Sequence, residues 1–328
     1  MRKWLRGALV AVAGLAGFVF MANTNLLTGL RSGKPTLLAH RGMAQRFDSA
    51  GLQNDTCTAT RIFPPRHEFL ENTIASMKAA FDAGADIVEF DVHPTTDGQF
   101  AVFHDWTLDC RTNGKGVTRE HSMTELKALD IGYGYTADGG KTYPFRGKGL
   151  GLMPTLTEVL GTFPTQRFII NVKSNDPDEG RKLAETLTTL TPERRKALIV
   201  YGGHRPLTEV KQRLPDITIL SRQTLQDCVF RYWSYGWTGL LPAACRDTAL
   251  LVPVNIAPWL WGWPDRFLDR MEEAGTQVFL LGPYHGGEFS TGIDSTEELK
   301  RLPSNYSGGI WTNEIAAIAE ELHAQGRH

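Results

Sequence analysis

The sequence predicts an α/β fold, a closed (β/α)8 barrel. Short apolar runs alternate with helical patterns, the runs number eight, and no dinucleotide-binding glycine pattern follows any of them. The runs are Thr36–His40, Asp86–Asp91, Arg167–Lys173, Ala197–Tyr201, Ile217–Leu220, Leu250–Ile256, Gln277–Leu281 and Gly308–Thr312. Helical patterns fall between them at Glu71–Ala83, Asp178–Leu190, Leu207–Leu214, Asp265–Ala274 and Thr296–Leu302. A doubly wound open sheet shares the alternation, but its G-x-G-x-x-G is missing and eight strands suit closure. The 328 residues are 41% hydrophobic and 22% charged, enough apolar mass for a large core. That composition excludes a disordered chain, a collagen-like repeat and a small disulfide-stapled peptide. Lys and Arg (35) balance Asp and Glu (36), and no basic run marks a nucleic-acid footprint.

Ahead of the first run, Arg2, Lys3 and Arg6 precede an uncharged apolar stretch of 16 residues, Gly7–Ala22, and no acidic residue appears before Asp48. A basic start followed by an apolar stretch is an export signal or a membrane anchor. Its length lies between a signal core of about 7–15 residues and a spanning helix of about 20. The nearest small-residue cleavage pattern is the weak Ala22-Asn23-Thr24, which favours an uncleaved anchor over a cleaved signal peptide within residues 1–30. Either way the positive-inside rule holds the N-terminus in the cytoplasm and sends the remainder to the periplasm or the outer face of the membrane. Four cysteines, Cys57, Cys110, Cys228 and Cys245, suit an oxidising compartment and allow three disulfide pairings. Cys228 with Cys245 is the local choice, leaving Cys57 with Cys110. None belongs to a C-x-x-C, so a zinc or redox site lacks its usual spacing.

Two segments interrupt the alternation. One lies between Gly42 and Phe69 and holds Cys57 and Pro64-Pro65; the other, Trp106–Met153, is rich in Gly, Thr and Tyr. Both leave the carboxyl end of the barrel, the face on which such folds build their active sites. In Asp86-Ile87-Val88-Glu89-Phe90-Asp91 a period of two puts Ile87, Glu89 and Asp91 on one face, with Val88 and Phe90 on the other. The apolar pair should meet the helices, which turns Glu89 and Asp91 into the top of the interior. Two carboxylates that close repel unless a positive charge lies between them, and a hard divalent cation is the economical solution. Thr95-Thr96-Asp97-Gly98 reads as a hairpin turn; centred on Thr96 and Asp97, it sets His104 opposite Glu89. An imidazole beside an anion is tuned for proton transfer near neutral pH.

The first strand ends in His40-Arg41-Gly42, where a planar guanidinium suits phosphate oxygens and glycine lets the chain turn sharply. In Phe168-Ile169-Ile170-Asn171-Val172-Lys173 the same parity puts Asn171 and Lys173 beside Ile169. An amide oxygen ligates Mg2+ or Ca2+, and a lysine is a point charge for phosphate.

These motifs, with Glu71-Asn72-Thr73, Thr95-x-Asp97-Gly98, His104-Asp105, Leu108, Arg111-Thr112, Gly116 and the last run Gly309-Ile310-Trp311-Thr312-Asn313, resemble the glycerophosphodiester phosphodiesterase family. The likeness extends from Thr36 to the C-terminus and is most specific in its first third. It implies a (β/α)8 TIM barrel of the phospholipase C-like phosphodiesterase type over residues 34–328, with an insertion at about 106–153. It implies hydrolysis of glycerophosphodiesters to an alcohol and glycerol phosphate. One divalent metal, Mg2+ or Ca2+, would sit on Glu89 and Asp91, with His40 and His104 as the acid–base pair. Arg41 and Lys173 would hold the phosphate, and Glu71, Asn72 and Trp311 would complete the substrate site. The substrate's own glycerol hydroxyl is the implied attacker. The chain departs from the family at Asn171, where a third carboxylate ligand is usual; losing that charge weakens the cage. The stretch from Met43 to Leu70 is also longer than the family's usual link.

Aromatic residues crowd two later places: Phe230, Tyr232, Trp233, Tyr235 and Trp237, then Trp259, Trp261 and Trp263. Core packing explains such clusters by default, and a lipid interface or choline-recognising surface is the alternative. Two rival functions stand beside the diesterase: a phospholipase D-like hydrolase of lysophospholipid or sphingomyelin head groups, and a catalytically silent binding protein.

Overall fold

The computed structural model describes residues 2–29, 31–53, 56–286 and 291–328. Its strands are β1 (Thr36–His40), β2 (Ile87–Pro94), β3 (Phe100–Val102), β4 (Arg167–Val172), β5 (Leu198–Gly202), β6 (Thr218–Ser221), β7 (Ala249–Pro253), β8 (Gln277–Leu281) and β9 (Gly309–Thr312). All except β3 are parallel neighbours in the order β6-β5-β4-β2-β1-β9-β8-β7, and β3 returns antiparallel on the extension of β2. The ring closes between β6 and β7 through one parallel bridge, Ile219–Thr248, where Thr248 Oγ1 donates to Ile219 O at 2.7 Å. The eight-stranded barrel expected from the alternation is therefore present, with a seam at β6/β7.

Side-chain parity follows the sequence. Leu38, Ile87, Ile169, Ile199, Leu220, Leu251, Phe279, Leu281 and Trp311 fill the barrel interior. Their neighbours Leu37, Ala39, Val88, Phe90, Ile170, Val200, Val252 and Leu280 point outward into a larger core with the helices. Both layers are nearly water-free, the arrangement that strands buried on two faces require.

Several boundaries differ from the sequence reading, and two of the differences have a local reason that bears on the barrel mouth. The helix expected over Glu71–Ala83 is Ile74–Asp82, because Thr73 and Ser76 form a reciprocal capping box at its start. Glu71 and Asn72 are thereby left in the loop that feeds the barrel mouth. The strand expected over Leu250–Ile256 stops at Pro253, after which Ile256 N closes a turn on Pro253 O at 2.9 Å.

The two long excursions pack on each other. Ala59, Ile62 and Leu70 from the first join Leu108, Met123, Leu126, Ile131, Tyr135 and Phe145 from the second in a separate buried cluster. A disulfide Cys57–Cys110 staples the two, with 5.5 Å between Cα atoms, and Arg111 Nη2 donates to Thr58 Oγ1 at 2.6 Å. The second disulfide, Cys228–Cys245, ties a helix to the turn before β7. Ahead of the barrel stands α1 (Arg2–Asn23), whose segment Lys3–Asn23 is long and apolar enough to cross a membrane. Its C-terminal part touches the barrel: Asn23 Nδ2 donates to Trp237 O at 2.8 Å, Arg270 Nη2 donates to Ala22 O at 2.6 Å, and Phe18 packs edge-on against Trp237.

Candidate active site

β1 delivers His40 to the barrel mouth, and the chain then turns through two left-handed residues, Arg41 (φ 61°) and Gly42 (φ 76°). At Gly42 a Cβ would stand 2.7 Å from Ser76 Oγ, so only glycine fits. Arg41 holds its unusual conformation through both backbone groups: its N–H donates to Glu89 O at 2.9 Å, and its carbonyl accepts from Asn72 N at 3.0 Å. Asn72 is itself left-handed (φ 59°). Two such residues cost about 1–3 kcal/mol each, and strain of this kind concentrates at working sites. Here it aims the Arg41 guanidinium across the mouth, 3.1 Å from Glu71 Oε1 and 3.3 Å from Asp91 Oδ2.

Glu89 and Asp91 point inward from β2 and are both fully buried, yet their surroundings differ. Asp91 is surrounded by donors: Asn171 Nδ2 at 2.9 Å, Asn72 Nδ2 at 3.1 Å, Arg41 Nε at 3.3 Å and Lys173 Nζ at 3.4 Å. Burial pushes its pKa up, but Lys173, His104, Arg41 and His40 outweigh that and hold the carboxyl below its ordinary range. Neither oxygen of Glu89 receives a hydrogen bond; His40 Nε2, at 3.7 Å, is its nearest ionic partner. Burial first, then the neighbouring Asp91 charge, raise the Glu89 pKa well above the usual carboxylate value. A wholly buried carboxylate with two unsatisfied acceptors is costly as it stands, and it has the chemistry of a ligand facing a hard cation. Among the described residues no group of three or more His, Cys, Asp or Glu side chains forms a metal cluster. The oxygen donors at this mouth that could face a cation are the carboxylates of Glu89 and Asp91 and the Asn171 amide.

Both histidines are oriented through Nδ1. The carboxylate of Asp294 accepts from Asn313 Nδ2 at 2.7 Å, so Asn313 turns its Oδ1 to His40 and accepts a hydrogen bond from Nδ1–H at 2.6 Å. His40 is thus left with Nε2 toward Glu89. His104 Nδ1 lies 2.7 Å from Asp105 Oδ1, and Asp105 is in turn paired with Arg111 Nε at 3.0 Å. Arg111 also meets Glu71 Oε2 at 3.1 Å, which closes a chain from His104 through Asp105, Arg111 and Glu71 to Arg41. Burial first, then Arg41, lower the pKa of both imidazoles, with Lys173 lowering that of His104 further.

His104 reaches the site by a route the hairpin register did not give. The turn is a three-residue loop, Thr96-Asp97-Gly98, in which Thr95 N donates to Gln99 O at 2.9 Å and Gly98 is left-handed (φ 80°). Val92 therefore faces Val102, one residue out of the expected register, and Phe103 N donates to Asp91 O at 3.1 Å. β3 has ended by then, and His104 enters where the chain bends away. Trp311 lies below His40, with ring centroids 4.9 Å apart, and is buried in the interior. The structure thus brings His40, Arg41, Glu71, Asn72, Glu89, Asp91, His104, Asn171, Lys173 and Trp311 to one mouth. Sequence reasoning named Asn313 in the last run without giving it a role, and missed Asp294, which with Asn313 orients His40, and His93. The last is fully buried beside His104, its pKa lowered to about 4 by burial and then Lys173. The signals for Asn313 were its place directly after the last strand and its membership of the family-like run.

Residues 40–225 match the family described as Glycerophosphoryl diester phosphodiesterase family. The chain belongs to that family. A glycerophosphodiester phosphodiesterase of Caldanaerobacter subterraneus subsp. tengcongensis is 34% identical over 154 residues, 45% of this chain and 59% of its own. A Homo sapiens lysophospholipase D is 29% identical over 214 residues, 63% of this chain and 61% of its own. The chain thus spans about three-fifths of the length of these curated relatives. Among solved structures, an Oleispira antarctica phosphodiesterase in complex with the product sn-glycerol-3-phosphate superposes with a TM-score of 0.57 at 19% identity, covering 89% of this chain and 98% of that one. At that identity the likeness is one of fold, and the shared fold is the barrel described above.

Proposed function

We propose that this protein hydrolyses glycerophosphodiesters to an alcohol and glycerol phosphate by paired histidine acid–base catalysis. The observation that carries the reading is the shared anchoring of His40 and His104. Each imidazole gives its Nδ1 to a fixed acceptor, at 2.6 and 2.7 Å, and keeps Nε2 for chemistry. Arg41 and Lys173 both lie on Asp91 and so form a cationic rim able to take the phosphate's oxygens. One histidine takes the proton of the attacking oxygen, and the other gives a proton to the departing alkoxide. Glu71 and Asn72 act as positioning residues, since their side chains are committed to Arg41, Arg111 and Asp91.

Glu89 and Asp91, with the Asn171 amide oxygen, would hold one divalent metal, Mg2+ or Ca2+. The two unsatisfied oxygens of Glu89 support this. Bound there, such an ion supplies positive charge against the phosphate's developing negative charge. The apolar helix α1 and the two disulfides support an exported protein held by an uncleaved N-terminal anchor, with residues 34–328 as the catalytic domain.

The test is hydrolysis of glycerophosphoethanolamine by the full chain in detergent, with Mg2+ or Ca2+ and with chelator. Chelation should abolish turnover, and His40→Ala and His104→Ala should each lower kcat by about 100- to 10,000-fold while thermal unfolding stays cooperative. Near-normal turnover in either variant refutes that residue's role, and a chain inert with every metal is a binding protein.

A further inference from the structure

The two aromatic runs, which the acid–base machinery does not use, converge on one face of the barrel. Trp261 Nε1 donates to Trp233 O at 2.9 Å, and Tyr232 Oη donates to Trp261 O at 2.6 Å, which joins the runs to each other. Tyr232 is buried, and Trp261 and Trp263 pack against the core. Phe230, Trp233 and Trp259 instead turn outward and are 60%, 56% and 72% exposed. These three rings border an apolar hollow of about 580 Å³, walled by Leu225, Val229, Ile256 and Leu260. Large apolar side chains gathered in this way mark a surface that has an apolar partner.

The end of α1 is fixed to the same face, and it identifies that partner. Asn25 Nδ2 donates to Trp263 O at 2.8 Å, Arg266 N donates to Asn25 Oδ1 at 3.1 Å, and Arg270 Nη1 donates to Asn23 Oδ1 at 3.2 Å. With the bond from Asn23 to Trp237, these contacts leave the helix no free swivel. The direction of α1 therefore sets which face the barrel turns to the membrane. The apolar segment Lys3–Asn23 has 21 residues, a length of roughly 30 Å, which matches the hydrocarbon thickness of a bilayer. With Lys3 at one boundary, Asn23 stands at the other. Trp237 packs against Phe18 with 6.5 Å between ring centroids, so the aromatic face begins at that second boundary. Indole rings, apolar in body and polar at the N–H, concentrate at this level of a membrane.

We propose that this face docks on the lipid surface at which α1 ends, with Phe230, Trp233 and Trp259 set among the head groups and upper acyl chains. The proposal rests on the anchor reading above and goes beyond it, because the barrel then lies on the bilayer by one defined face. Trp106, 45% exposed on the excursion that follows β3, belongs to the opposite arc of the ring and stays in water.

The test uses the full chain in phosphatidylcholine vesicles whose acyl chains are brominated just below the head group, where bromine quenches only the tryptophans it touches. Trp233→Phe combined with Trp259→Phe keeps both positions aromatic and apolar while removing their emission. The double variant should lose about half of the lipid-quenched emission, with Trp4 and Trp237 supplying the rest. Trp106→Phe should lose none of it, and iodide in the water phase should reach Trp106 but neither Trp233 nor Trp259. A quenched signal that the double variant leaves unchanged overturns the docking, while Trp4 still reports α1 as an anchor. No lipid quenching at all overturns the anchor reading and the docking with it. Equal losses from Trp106→Phe and from the double variant mean contact without a preferred face, which overturns the proposal. Trp233 and Trp259 shielded from both lipid and iodide, in a chain that sediments as a pair in detergent, are covered by a second copy, which overturns it as well.

Discussion

Around β1, β2 and β4 the barrel mouth is ionic and tightly paired; around β6 and β7 it is apolar and loosely joined. On the first side β2 and β4 run in register over six consecutive residue pairs, Ile87–Arg167 to Val92–Val172. Arg41, Arg111, Glu71, Asp91 and Asp105 interlock there at 3.0–3.3 Å. On the second side one bridge joins the strands, and the neighbouring space is lined by leucine, isoleucine and aromatic rings. Charges placed to act on a phosphate need fixed positions, and continuous pairing supplies them. An apolar site tolerates slack, because contact with hydrocarbon is not directional.

The strongest challenge to this contrast is Glu89→Gln. Turnover should fall by at least about 100-fold if Glu89 is a ligand. In chelator the variant should melt at a higher temperature than the parent, because a buried carboxylate without a donor has been neutralised. Retained turnover or a lower Tm would mean that Glu89 has a partner the ionic account lacks. The disulfides sharpen the contrast next. Cys57–Cys110 spans 53 residues and Cys228–Cys245 spans 17, so chain entropy assigns them about 4 and about 3 kcal/mol. Cys57→Ser/Cys110→Ser should cost more stability in chemical denaturation and also slow turnover, because Arg111 adjoins Cys110. Cys228→Ser/Cys245→Ser should weaken the fold while turnover of the diester persists. Equal kinetic damage from the two would show that the seam side also positions the chemistry.

The smallest effect concerns the excursion over the ionic side. Bonds from the Thr142 backbone N–H and hydroxyl hold the Asp138 carboxyl down at about 2. A carboxyl depressed in the folded state stabilises above its unfolded pKa of 3.8 and loses that contribution as pH falls through about 2. Asp138→Ala should therefore lower Tm near neutral pH, with the gap to the parent shrinking as acid is added. A gap independent of pH would assign the loss to packing.

Much of the ionic side was legible because it is local. A period of two was enough to turn Glu89 and Asp91 inward with Ile87, and Asn171 with Ile169. His104 was placed one register step wrong because a left-handed Gly98 lengthens the turn by one residue, a choice that Asp-Gly alone does not dictate. Asn313, Asp294 and the Arg111–Glu71 link were illegible for another reason: each joins residues distant in the chain, and nothing in their spacing announces the contact. The aromatic clusters read as apolar in sequence, but whether they filled a core or rimmed a cavity depended on how β6 and β7 met. Tyr232 became core and Trp233, one residue on, became rim.

The lone Ile219–Thr248 bridge makes the cylinder a split ring. A ring with one weak stave widens there first, and the opposite arc, with the histidines and the acidic pair on it, keeps its shape.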